Sequence, residues 1–212
     1  MSWSADVWSS LAFVVAGAWI LLTTPRRVRA LDDGARRERA LRQASLGVLA
    51  VLIGVGSIVQ HGPAPAWNPV VHDPPLLGAY ALVAADAVAD LTGWRLRTWW
   101  WLAPTLLDVG LAAWWPAASV VAQGVVAAVA VVAVLLRATA RAPLRRRLLV
   151  ALAVLGAGSV IGELTRPGRP WSDGASFDVA VTGHAVWHVL AAVAIAVVAP
   201  TVGWRATDGS PR

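Results

Sequence analysis

The chain has 212 residues, of which 58% are hydrophobic and only 14% charged, with a mean hydropathy of +0.62 and a formal net charge of +6. That balance excludes an ordinary soluble domain and predicts an all-α polytopic membrane protein. The lack of cysteine excludes disulfides, cysteine-ligated zinc and thiol chemistry.

Seven apolar segments follow one another: Val7–Thr24, Ala44–His61, Pro74–Thr92, Trp99–Trp115, Ala117–Leu136, Leu148–Thr165 and Phe177–Pro200. A span needs about 20 residues. Seven of them therefore occupy residues 1–212 as a single seven-helix transmembrane domain. The first segment lacks a basic stretch before it and is followed directly by arginines, so it reads as a span and not as a cleaved signal peptide. Arg26, Arg27, Arg29, Arg36, Arg37, Arg39 and Arg42 lie between the first two segments. Arg95 and Arg97 follow the third, Arg137, Arg141, Arg145, Arg146 and Arg147 the fifth, and Arg205 and Arg212 the seventh. The opposite side carries only Arg166 and Arg169. The positive-inside rule then places the N-terminus outside and the C-terminus in the cytoplasm, in a cell (inner or plasma) membrane. This placement accounts for the net charge, which elsewhere would hint at nucleic acid, so no nucleic-acid partner is expected. All the basic residues are arginine, and alanine, valine and glycine abound, which suggests a high-GC bacterial genome.

Tryptophans fall at the span ends. Trp3, Trp8, Trp67, Trp114, Trp115 and Trp171 lie toward the outer surface and Trp94, Trp99, Trp100, Trp101 and Trp204 toward the inner one, as an aromatic belt does. The stretch from Asp33 to Ala40 reads as a solvated cytoplasmic loop or as a short surface helix favouring anionic lipid. Prolines stiffen the loop Gly62–Pro69. Gly47, Gly54, Gly156, Gly158 and Gly162 are expected to allow close helix packing.

One constellation carries chemistry. His184 and His188 are four residues apart in the last segment, so a helix sets both rings on one face, about 5–6 Å apart at Cβ. His61 ends the second segment, Ser57 lies one turn deeper on the same face, and Asp73 opens the third. All five share the outer leaflet. Three neutral imidazoles can hold a zinc ion and leave a fourth position for water. A carboxylate can orient that water or take its proton, and a hydroxyl can stabilise a developing oxyanion.

The ordered set Ser57-x-x-x-His61, Asp73 at the head of the next helix and Gly183-His184-x-x-Trp187-His188 in the last resembles the alkaline ceramidase family. That family belongs to a seven-helix superfamily that also includes the adiponectin-type receptors. The opening helix, Val7-Trp8-Ser9-Ser10-Leu11-Ala12-Phe13, looks like the family's as well. The resemblance implies Zn2+ held by His61, His184 and His188, with Asp73 holding or deprotonating the metal-bound water and Ser57 assisting at the reacting carbonyl. The implied substrate is a membrane lipid amide or ester, and the implied activity is ceramidase-like hydrolysis. The family's acidic N-terminal cluster, read as a calcium site, is reduced here to Asp6, so no calcium site is expected.

The remaining polar groups keep open readings. His72 is a fourth ligand, a proton shuttle or an interfacial loop residue. Glu163 either supports the histidines or pairs with Arg166 or Arg169. Asp86 and Asp108 are expected to share a buried hydrogen-bond or proton network, Asp90 to pair with Arg95 or Arg97, and Asp178 to cap the last helix. Trp187 is about 100° off the histidine face and reads as packing. Two rival functions stand beside the hydrolase: a receptor-like lipid-binding protein with a structural zinc and no turnover, and a proton or ion transporter using Asp86 and Asp108.

Overall fold

The computed structural model describes residues 4–165 and 183–205. Trp3, Arg166, Arg169, Trp171, Phe177, Asp178 and Arg212 lie outside the described residues. Among those described, seven α-helices follow in order: α1 Ala5–Val28, α2 Asp33–His61, α3 Asn68–Thr92, α4 Trp99–Trp114, α5 Pro116–Ala140, α6 Ala142–Leu164 and α7 Gly183–Val198. A short 3-10 turn, Ala199–Thr201, extends the last. All but α4 are long and apolar enough to cross a membrane, α7 together with its 3-10 turn. The chain is thus a multi-pass membrane protein. α4, at 16 residues, falls short of that length.

Local chemistry sets the helix ends. The Asp32 carboxylate caps α2 by accepting the Ala35 N–H at 2.9 Å. α2 therefore begins eleven residues before the apolar segment, and the arginine stretch becomes the first turns of a long helix instead of a loop. α3 also starts early, at Asn68, because Pro69 sits in its first turn, where a missing N–H is harmless. It ends at Gly93, whose φ of 73° is the left-handed conformation that glycine adopts without strain.

Helices α1, α2, α3, α5, α6 and α7 form a ring closed by contact of α7 with α1, and α4 lies outside it against α3 and α5. The seam between α5 and α6 is the sparsest in the ring. α1 and α2 meet almost backbone to backbone: a methyl on Gly17 would fall 2.5 Å from the Gly47 carbonyl, and one on Gly54 2.7 Å from Val14 Cγ2. Gly158 and Gly162 make room for Trp187. Gly156 faces open space and plays no such part. Ile20, Leu46, Ile53, Leu82 and Leu148 are the largest side chains fully buried in the core.

The arginine-rich ends of the helices gather at one end of the bundle. There the structure corrects two expectations. Asp86 does not meet Asp108. Its carboxylate accepts from Arg137 at 3.0 Å, Arg42 at 3.4 Å, Arg205 at 3.1 Å and the Gly203 N–H at 3.0 Å. Asp108 lies instead near Ser119 and Asp73, toward the other end. Asp73 and Asp86 are thirteen residues apart on α3, about 20 Å at 1.5 Å per residue. Asp90 pairs with Arg137 at 2.9 Å and Arg141 at 3.2 Å, whereas Arg95 and Arg97 are exposed beyond the end of α3. Arg42 also pairs with Glu38. The segment after α7 is held into this network: Arg137 donates to the carbonyls of Thr201 and Trp204, and Gln43 to that of Val202.

The tryptophan belt is only partly a belt. Trp8, Trp67, Trp114 and Trp115 are exposed at one end and Trp94 and Trp99 at the other. Trp100, Trp101 and Trp204 pack against the core instead.

Candidate metal centre

His61 comes from the last turn of α2, His184 and His188 from the first turns of α7. These helices run in opposite directions, so all three rings reach the same end of the ring of helices. His184 Nε2 and His61 Nε2 are 3.2 Å apart. The centroids of the three rings lie 4.8, 5.0 and 4.5 Å from one another. One ligand nitrogen from each falls within 4.8 Å of the others. Two nitrogens on a tetrahedral zinc, at about 2.0–2.1 Å each, stand roughly 3.3–3.4 Å apart. The His61–His184 pair already has that separation.

The hydrogen bonds behind His188 bear on the fit. Its Nδ1 is 2.9 Å from the Ser9 hydroxyl and 3.4 Å from that of Ser10. Each serine gives its one hydroxyl proton to the Asp6 carbonyl, at 3.0 and 2.7 Å. Each can therefore only accept from the imidazole. Nδ1 then carries the ring proton and Nε2 keeps its lone pair, the state a metal ligand requires. A donor set of three neutral imidazoles, one with its tautomer fixed from behind, fits zinc.

The other expected residues divide. Ser57 is buried and lines the cavity beneath the histidines. His72, in the second turn of α3, also lines it and stands edge-on to His61 at 6.5 Å between centroids. Asp73 does not line the cavity. Its Oδ1 accepts from His72 Nδ1 at 2.7 Å, and its Oδ2 accepts from the Ser119 hydroxyl on α5 at 3.1 Å. Gln123 donates to Ser119 in turn, at 3.2 Å. His72 thus stands between Asp73 and the histidine cluster. Glu163 is half-buried in the last turn of α6 and does not line the cavity. Trp187 does line the cavity, in addition to packing on α6.

Pro74 and Pro75 shape this corner. Without N–H groups they leave the Val70 and Val71 carbonyls unbonded within α3. Gly56 of α2 sits directly against the freed Val71 carbonyl and His72 Cα. Close packing of α2 on α3 at that point brings His72 up to His61.

Below the histidines the cavity, of about 220 Å³, runs down the bundle axis to Leu46, Val134 and Val198. From His188 to Val198 is ten residues of α7, or about 15 Å. Its deeper walls are aliphatic. Four residues were missed by sequence reasoning: Ser9 and Ser10 as supports of His188, and Ser119 and Gln123 as supports of Asp73. Serines inside an apolar first span were the one available signal for the former pair. No protein-family model, curated protein or solved structure matches the chain.

Proposed function

We propose that the protein is a zinc-dependent integral-membrane hydrolase of a lipid amide, ceramide-like, or of a lipid ester. The observation that carries this reading is the convergence of three imidazoles, within 4.8 Å of one another, at the head of a deep apolar cavity. A zinc ion held by His61, His184 and His188 supplies a water made nucleophilic near neutral pH and an electrophile for the carbonyl.

The chain's own residues do the rest. Hydrolysis places the water oxygen on the carbonyl carbon, breaks the carbon–nitrogen bond and delivers a proton to the departing nitrogen. With its Nδ1–H given to Asp73, His72 has Nε2 free as a proton acceptor on the cavity side. It takes the proton from the attacking water and returns it to the leaving group. Asp73 keeps the ring in that tautomer and stabilises it when charged, and Ser119 holds Asp73 in place. Ser57, one turn below His61, donates to the carbonyl oxygen as negative charge develops there. The aliphatic cavity takes the acyl chain, and the sparse α5–α6 seam gives it a lateral way in from the bilayer.

In this reading α4 completes a seven-span bundle, and the arginine-rich end is cytoplasmic. The histidines then lie near the outer leaflet of the cell membrane.

The test is metal analysis of the purified protein together with turnover of a ceramide and of a matched ester in lipid nanodiscs. Stoichiometric zinc and amide cleavage, both lost in His184→Ala, are expected. A folded wild-type protein that takes up no zinc rejects the site. Zinc without turnover of any lipid favours the receptor-like alternative.

A further inference from the structure

The polar groups of the cavity gather at its head, with one exception. Ser57, Gln60, His61, His72, His184 and His188 line its upper part, and Tyr80, the one tyrosine of the chain, lines it farther down. Tyr80 lies on α3 eight residues below His72, about 12 Å at 1.5 Å per residue, and six residues above Asp86. Asp73 pairs with Ser119 toward one end and Asp86 with Arg137 toward the other, so α3 and α5 run side by side in one direction. The wall opposite Tyr80 is therefore the stretch of α5 midway between Ser119 and Arg137, which supplies Ala127, Ala130 and Val131. Leu76 and Val83, one turn before and one turn after Tyr80 on the same face of α3, complete an aliphatic surround.

The Tyr80 hydroxyl has no hydrogen-bond partner among the described residues. A tyrosine hydroxyl inside a protein normally finds one, and a lone phenol among aliphatic side chains costs free energy that a phenylalanine would not. The group that completes it therefore comes from the contents of the cavity. A plain hydrocarbon chain offers it nothing. Side chains of a helix lean back over the turn before them, and one turn is about 5.4 Å, so the hydroxyl stands roughly 7–12 Å below the level of His72. An extended chain advances about 1.2 Å per bond, since three backbone bonds span at most ~3.6 Å. An acyl chain with its carbonyl at the histidines then meets the hydroxyl at about its sixth to tenth carbon.

We propose that Tyr80 is a specificity-determining residue, which selects acyl chains carrying an oxygen substituent, a hydroxyl or a keto group, near the middle of the chain. The phenol donates to that oxygen, or accepts from it where the substituent is a hydroxyl. The proposal rests on the reading that the cavity takes an acyl chain, and it narrows the substrate from a lipid amide or ester to one with an oxygenated chain. A plain chain of the same length fills the cavity but leaves the phenol unpaired.

The experiment measures binding by the full-length protein in a neutral detergent, with a chelator present throughout so that no metal-dependent turnover intervenes. Thermal unfolding is followed at graded concentrations of three N-acylethanolamines, with stearoyl, 2-hydroxystearoyl and 9-hydroxystearoyl chains. The last two have the same composition and differ only in where the oxygen falls. The wild type is expected to bind the 9-hydroxy lipid ~10-fold more tightly than the 2-hydroxy lipid, about 1.4 kcal/mol. Tyr80→Phe removes one oxygen and keeps the ring. It is expected to bring that ratio close to one and to leave stearoyl binding unchanged or tighter. A wild type without the preference, a preference that survives in Tyr80→Phe, or no binding of any of the three overturns the proposal. Turnover of the stearoyl amide is measured separately on the zinc-loaded protein. The preference without turnover rejects the hydrolase and leaves Tyr80 as the selector of a lipid-binding cavity, whereas turnover without the preference rejects the role of Tyr80 and leaves the hydrolase.

Discussion

Replacing Ser9 by alanine tests the centre at its least obvious point. The Ser9 hydroxyl accepts from His188 Nδ1 at 2.9 Å, and His188 is only 3% exposed. Without Ser9 the ring proton keeps only weaker acceptors nearby, the Ser10 hydroxyl at 3.4 Å and the Asp6 backbone carbonyl. Leaving a buried donor without a partner costs about 1–3 kcal/mol. At about 1.4 kcal/mol per factor of ten, that is roughly 5- to 150-fold in zinc affinity, in line with the ~10–100-fold seen when the groups that support metal ligands are removed. Ser10 can move in to recover part of the loss, so Ser9→Ala alone is expected near 10-fold and Ser9→Ala/Ser10→Ala near 100-fold. The assay is competition for zinc with a chromophoric chelator at fixed pH, with circular dichroism to establish that the helices are intact. Only the metal can report this change, because neither serine touches the cavity. If the double variant binds zinc as tightly as the wild type, Nδ1 is not held by this chain of hydrogen bonds and the tautomer argument fails.

Asp73→Asn is expected to keep zinc stoichiometry while lowering kcat by about 10²–10⁴, since the amide no longer stabilises a charged His72; parallel metal analysis and single-turnover rates separate the two effects. Stripping zinc with a chelator is expected to leave helicity unchanged, because the helices that carry the three rings are packed through a large apolar core, and to lower Tm only by the lost binding free energy. Asp86→Asn is expected to destabilise the protein by about 3–5 kcal/mol, as arginines from three parts of the chain lose a shared buried counter-ion, whereas the half-exposed Arg205→Gln costs roughly 1 kcal/mol; thermal unfolding in detergent ranks them. Gly54→Leu forces α1 from α2 and is expected to cost at least about 1–3 kcal/mol, while Gly156→Ala, which meets nothing within 4 Å, is expected to be neutral in the same assay.

The sequence made the helices and the histidine cluster legible for a simple reason. Hydropathy reports spans directly, and two histidines one turn apart must share a helix face whatever surrounds them. What it could not convey was pairing between distant helices. Asp90 was assigned to Arg95 or Arg97 because they are its nearest arginines in the chain. α3 stops at Thr92, however, and its neighbour across the bundle is α5, which brings Arg137 and Arg141. Asp86 and Asp108 looked like partners because both are acidic and apolar in context. Their depths differ, since α3 and α4 run in opposite directions. Asp73 was expected to hold or deprotonate the metal-bound water, and the sequence could not show that its carboxylate accepts from His72 and Ser119. That His72 faces the cavity follows from the packing of α2 on α3 at Gly56, which no spacing in the sequence reveals.

The network around Asp86 has a consequence for how the chain is made. The protein leaves the ribosome in order, and α3 enters the membrane carrying two carboxylates whose partners mostly do not yet exist. Arg42 has been made, but Arg137, Arg141 and Arg205 have not. At about 5–20 residues per second, the 119 residues between Asp86 and Arg205 take roughly 6–24 s to synthesise. An unneutralised carboxylate is disfavoured by about 2.5–3.5 kcal/mol at the centre of a span and by less toward its end, where Asp86 and Asp90 lie, so the cost over that interval is a fraction of that figure for each. The half-made protein is therefore a natural target for membrane proteases, and a nascent chain released shortly before residue 203 is expected to be cleared rather than to accumulate.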